Sequence, residues 1–90
     1  MQLTQKRLMI SALLHNAEAE KQAKEMEYNT LKQEKAKLRN RAEYAASRTM
    51  QPQISALEEA LDILGTDIES LTWQLEGIDG AMSRASPISN

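Results

Sequence analysis

From residue 54 onward the large aliphatic residues fall at alternating steps of three and four: Ile54, Leu57, Leu61, Leu64, Ile68, Leu71, Leu75, Ile78 and Met82. An α-helix turns once per about 3.6 residues, so a repeat averaging 3.5 keeps these side chains on one face, winding slowly around a partner helix. A strand, which alternates faces at every residue, would scatter the same side chains over both. The spacing therefore demands a helix, and a helix whose apolar row packs knobs-into-holes against another.

The rest of the chain is consistent with that demand. Its 90 residues include no Val, Phe or Cys and three aromatic residues, Tyr28, Tyr44 and Trp73. A strand-built core would draw on β-branched and aromatic residues that are scarce here. Ala, Leu, Glu, Lys, Gln, Arg and Met dominate, and these lose little freedom on entering a helix. The expected fold class is all-α: an antiparallel helical hairpin or coiled coil, with a single long kinked helix as the alternative, packed into a larger helical assembly. The apolar residues lie in thin stripes that close no globular core, so partner helices are expected.

Residues 1–84 read as a single coiled-coil unit, with a helix over 4–50, a break around 51–52, a second helix over 53–83 and a polar tail over 85–90. Thr4 is a candidate N-cap, and from there to Met50 neither Gly nor Pro interrupts the sequence. The first segment's stripe is weaker than the second's. It runs through Leu3, Ile10, Leu14, Ala17, Tyr28, Leu31, Leu38, Ala42 and Ala45, with Lys21, Lys24 and Lys35 in the same row. Pro52 lacks a backbone donor and disfavours helical geometry at Gln51, which places the reversal there. Ser55 to Glu58 offers a capping box as a second possible start. Gly77 and Gly80 weaken the end of the second helix, and Ser86-Pro87 stops it.

Charge is divided between the halves. Residues 1–50 hold ten Lys and Arg against six acidic residues, and residues 51–90 hold one, Arg84, against seven. A fold at Pro52 sets Lys32, Lys35, Lys37, Arg39 and Arg41 beside Glu58, Glu59, Asp62, Asp67 and Glu69, favouring antiparallel pairing. It also leaves about a dozen residues at the N-terminal end unpaired, exposing Leu8, Met9 and Leu13 as a docking surface. Ile63 and Trp73 stand outside the nine-residue seam, where a two-stranded coil meets water, and they mark a second packing face.

No catalytic, cofactor-binding or metal site is expected. His15 is the sole histidine, there is no thiol and no glycine-rich phosphate loop, and the carboxylates are not spaced as ligands or acid–base pairs. No stretch approaches the roughly 20 apolar residues of a membrane span. Lys6-Arg7 followed by Leu8 to Leu14 resembles a secretory leader, but the run is short and continues into a charged helix. The expectation is a protein that stays in the cytoplasm or leaves by a leaderless route.

Two resemblances bear on function. Asn40 with Ser47-Arg48, followed by Leu57, Leu64, Leu71 and Ile78 at sevens, resembles the register of basic-leucine-zipper DNA-binding proteins. That resemblance implies one uninterrupted helix and small residues facing the bases. The chain departs from it at Pro52, Glu43 and Tyr44, which puts a nucleic-acid partner in doubt. The length and the mid-chain proline resemble the needle subunits and coiled-coil export factors of type III secretion systems, although the turn reads Met50-Gln51-Pro52-Gln53 without that family's paired prolines. The function expected first is a non-enzymatic structural subunit that self-associates into a homo-oligomer or helical filament. The alternative is a soluble adaptor or chaperone that clamps a partner protein's helix. The expected partners are thus copies of the chain itself or another helical protein.

Overall fold

The computed structural model of the chain describes residues 2–85. It holds three helices, α1 (Leu3–Asn40), α2 (Tyr44–Thr49) and α3 (Gln51–Ala85), and no strand among the described residues. The chain is an all-α antiparallel hairpin in which α1 and α3 pack along their lengths. α3 extends one residue into the expected tail. The remainder of that tail, residues 86–90, lies outside the described residues.

Three side-chain contacts fix the register. Arg7 Nε donates to Asp79 Oδ1 at 2.6 Å, Tyr28 Oη donates to Glu58 Oε2 at 2.9 Å, and Lys35 Nζ donates to Gln51 Oε1. The residue numbers in each pair add to 86, so the two helices run level without slippage from one end to the other. Residue i of α1 lies opposite residue 86 minus i.

That register differs from a fold at Pro52, and the cause is at the end of α1. Ala42 takes a left-handed conformation with φ 60. Its N–H donates to Arg39 O at 3.0 Å, and the N–H of Glu43 donates to Leu38 O at 2.8 Å. These are the two bonds of a Schellman cap, which satisfies the last carbonyls of a helix while turning the chain away. The chain reverses here, about ten residues earlier than expected. The helix expected over 4–50 is therefore divided, and the basic-zipper requirement of one continuous helix is not met.

Pro52 has a smaller role. It is the second residue of α3, where a backbone donor has no intrahelical acceptor, so its missing N–H costs little. Gln51, expected to be non-helical before proline, is helical. Met50, with φ −83 and ψ −18, separates α2 from α3 while staying in the helical region. Two further starts are corrected. α1 is preceded by Gln2 as N-cap, with no side-chain cap bond, and Thr4 lies within the first turn. Ser55 lies inside α3, where its Oγ accepts from Gln51 Nε2 at 2.9 Å instead of opening a helix.

All nine aliphatic residues of the α3 row are buried or half-buried. Ile54, Leu57, Leu64 and Ile78 are the deepest, joined by Ile10 from α1. Across from them the α1 row from Arg7 to Leu38 is buried or half-buried at the same 3-4 spacing, while Ala42 and Ala45 fall in the turn region and are exposed. Lys21, Lys24 and Lys35 are half-buried members of this row. Their methylene stems cover aliphatic surface while the ammonium groups reach water or a polar partner such as Gln51. Ser47 of α2 is the most enclosed residue, at 2% exposure, and its small side chain closes the turn end.

Candidate functional site: the outer faces of the hairpin

The seam of α3 is occupied within the chain, so it presents no free apolar row to a partner. What the fold leaves open is the side of each helix that points away from the other. Leu8, Met9 and Leu13 on α1 and Ile63 and Trp73 on α3 are all exposed, Trp73 by 77% and Leu8 by 64%.

The structure does not gather these five residues into one patch. Leu8, Met9 and Leu13 also do not form an unpaired overhang, because the early reversal makes α1, 38 residues long, almost equal to α3, 35 residues long. Ile10 is buried, Leu14 half-buried, and Arg7 joins Asp79. The helical N-terminal end is thus paired, with Leu8 and Met9 on its outer side and Leu13 exposed beside the seam.

That outer side has a property that single apolar residues do not reveal. Between residues 5 and 36, every Lys, Arg, Asp and Glu of α1 lies in the seam row or immediately beside it. The opposite face, about 45 Å long at 1.5 Å per residue, carries none. Its central stripe is Met9, Ala12, Asn16, Ala19, Ala23 and Met26, all exposed, with Met26 at 72%. Helices that meet water on one side ordinarily place their charges there. Over this stretch the helix keeps its charges in the seam row or exposed along its flanks and leaves its outer side uncharged.

α3 repeats the pattern in part. From Ile63 on, its outermost stripe is Ile63, Thr66, Ser70, Trp73, Gly77 and Gly80, without charge, whereas the same stripe nearer the turn holds Glu59. One edge of the stripe is an acidic row, Asp62, Glu69 and Glu76, exposed and directed away from α1. A shallow groove beside Trp73 is lined by Thr66, Glu69, Ser70 and Gln74.

Among the described residues the basic residues near the turn form no ion pair with the acidic residues expected beside them, although Lys32, Lys35 and Arg39 line one groove with Glu58. In the observed register Lys32 is level with Ile54 and Arg39 with Ser47, whereas Asp62 is level with Lys24 and Glu58 with Tyr28. Lys32 instead lies over the Tyr28 ring, with Nζ 5.2 Å from its centroid. Among the described residues one ion pair joins α1 to α3, Arg7 with Asp79. The hydrogen bond from Arg7, and then the negative charge of Asp79, hold the guanidinium pKa above its ordinary value, with a smaller opposing effect from desolvation.

Among the described residues no group of three His, Asp or Glu is placed to hold a metal ion. His15 is exposed on the outer side of α1. No helix among these residues is long and apolar enough to cross a membrane. Sequence reasoning found Leu8, Met9, Leu13, Ile63 and Trp73 but missed Met26 and the uncharged face as a whole. The signal was present as an absence of charge at three of every seven positions, and it becomes readable once the seam is assigned. The chain matches no protein-family model, no curated protein and no solved structure.

Proposed function

We propose that this chain is a non-enzymatic structural subunit that self-associates through the outer faces of its hairpin into a homo-oligomer or helical filament. The observation that carries the reading is the uncharged outer face of α1, exposed over most of the helix while the charges lie in the seam row or exposed along its flanks. An extended uncharged face with methionines at 55% and 72% exposure, Met9 and Met26, is suited to packing against another helix. The thin internal seam adds to the case. A hairpin with five buried apolar residues among those described, Ile10, Ile54, Leu57, Leu64 and Ile78, has little to offset its conformational entropy until neighbours cover more of its surface.

The test is the mass of the purified protein, measured by sedimentation across a wide concentration series. Growth beyond a dimer is the expected result. A monomer that persists at every concentration, with helix content unchanged, rejects self-association.

A second reading, an adaptor or chaperone that clamps another protein's helix, is favoured by a different observation. The aliphatic row of α3 is met by Lys21, Lys24 and Lys35, so a more apolar helix could displace α1. Under that reading the protein alone stays small, and substituting these lysines by Leu closes the hairpin against the partner.

A further inference from the structure

We infer that the outer face of α1 packs, level and side by side, against the outer face of α3 in a second copy of the chain. This rests on the self-association proposed above and specifies which surfaces meet and in what register.

The two outer stripes point in opposite directions, because each lies opposite its own helix's seam. They cannot meet within one hairpin. A second copy displaced sideways, without rotation or axial shift, brings α1 of one copy against α3 of the other in antiparallel orientation. The level relation fixed by Arg7 with Asp79 and Tyr28 with Glu58 then applies across the contact. Met9 falls opposite Gly77, Asn16 opposite Ser70 and Ala23 opposite Ile63, with Ala12 beside Trp73. Over residues 9–23 of α1 each large side chain meets a small one and the two mid-stripe polar residues meet each other, as interdigitated helix packing needs, while Met26 falls beyond that stretch, beside Ala60 and Glu59.

Gly77 fits this match, although Gly65, beside the seam and outside the stripe, is equally open to a Cβ. A Cβ built at Gly77 meets nothing within 4 Å, and one at Gly80 meets only the flexible end of Arg84, at 3.4 Å. The hairpin therefore does not need either glycine, and both weaken the helix they occupy. A neighbour's Met9 filling the space above Gly77 supplies the missing reason.

Charge selects this pairing over the two symmetric ones. α1 holds eight Lys and Arg against five acidic residues, and α3 one against seven. α3 against α3 would place the acidic rows of Asp62, Glu69 and Glu76 together. α1 against α1 would leave Ile63 and Trp73 in water. In the mixed pairing the acidic row meets the uncharged edge of α1, with Glu69 near His15 and Asp62 near Gln22. Two like-charged meetings remain, Glu20 with Asp67 and Glu27 with Glu59; all four residues are exposed, and salt screens the pairs. Because each copy offers one face of each kind, the contact is heterologous, and repeated without rotation it closes no ring but grows into an open array.

The chain has no cysteine, so introduced thiols report cleanly. Asn16→Cys and Ser70→Cys proteins, each checked for helix content, are mixed and oxidised. A disulfide requires the two Cα atoms within about 7 Å. The expected product is the mixed 16–70 dimer in large excess over either homodimer, and a double variant should give a ladder of covalent multimers. Gly77→Leu should leave the hairpin folded while weakening association at least tenfold. Dominant 16–16 or 70–70 products, or no cross-link while wild-type mass still grows with concentration, would overturn this geometry and leave self-association standing. Wild-type protein that stays monomeric would overturn both.

Discussion

Ala42 is where a single residue decides the fold's register. A side chain at φ 60 brings Cβ close to the following carbonyl, at a cost of roughly 1–2 kcal/mol that glycine avoids. Ala42→Gly is therefore expected to stabilise the hairpin by about 0.5–1 kcal/mol, after allowing for glycine's greater freedom in the unfolded chain. A rise in the urea midpoint with an unchanged slope would establish it; a fall would mean the cap is not formed. The position is hard to find from sequence because the usual Gly or Asn is absent. Trp73 poses the opposite case, a residue conspicuous in the sequence and irrelevant to the hairpin's interior at 77% exposure. Trp73→Ala should keep helix content intact and weaken self-association by about 2 kcal/mol if the indole is an interface anchor. Circular dichroism and sedimentation on the same variant separate the two effects.

At the scale of elements, α3 is the stronger partner and α1 the accommodating one. Leu64 is buried at 8% exposure in the middle of an unbroken aliphatic row. Leu64→Asp puts an unpartnered carboxylate there, at a cost of several kcal/mol against a total stability of roughly 5–15. Loss of the thermal transition at neutral pH is the expected outcome, and an unaltered melt would refute the seam. α1 contributes lysines to the same interface, so Lys24→Leu should raise stability by about 1–2 kcal/mol, from apolar area newly removed from water. Pro52 occupies the first turn of α3, and Pro52→Ala should change stability by less than about 1 kcal/mol, well short of the roughly 3 expected for a proline mid-helix. Calorimetry of the two variants reads both predictions.

The whole molecule is a hairpin with one register, and that register is directly measurable. Gln33 and Gln53 are both exposed and level with each other across the seam. Gln33 is on the outer side of α1. Spin labels at these sites should therefore lie within about 20 Å, the interhelical spacing of about 10 Å plus the helix radius and label reach, whereas 20 residues along one straight helix span about 30 Å. A distance near the longer value in dilute protein would rule out the reversal at residues 41–43. At this scale the charge division of the sequence takes on a different meaning from the one its pattern invites. The opposite signs of the two helices are joined within the hairpin by Arg7 and Asp79, while Asp62, Glu69 and Glu76 face outward. Most of that complementarity remains available between molecules.

Helix type and the identity of the seam were determined by the sequence alone, because a 3-4 aliphatic repeat over nine positions has one physical solution and the composition offers no competing one. Antiparallel pairing was also expected, but from a fold at Pro52 and the opposite charge of the halves, whereas the chain reverses at Ala42 and a single ion pair among the described residues joins the two long helices. The position of the reversal was not legible. Proline announces itself in a sequence, but its cost depends on where in a helix it falls, and at the second position of α3 that cost nearly vanishes. A left-handed alanine carries no mark at all, since its conformation follows from two backbone bonds, Ala42 to Arg39 and Glu43 to Leu38, that exist only once the cap has closed. The same dependence hid the outer faces. Charges at a helix surface look alike in sequence, and only a fixed seam separates those that flank a partner from those that should meet water. With the seam assigned, the missing charges on the far side of α1 become a surface feature of the fold.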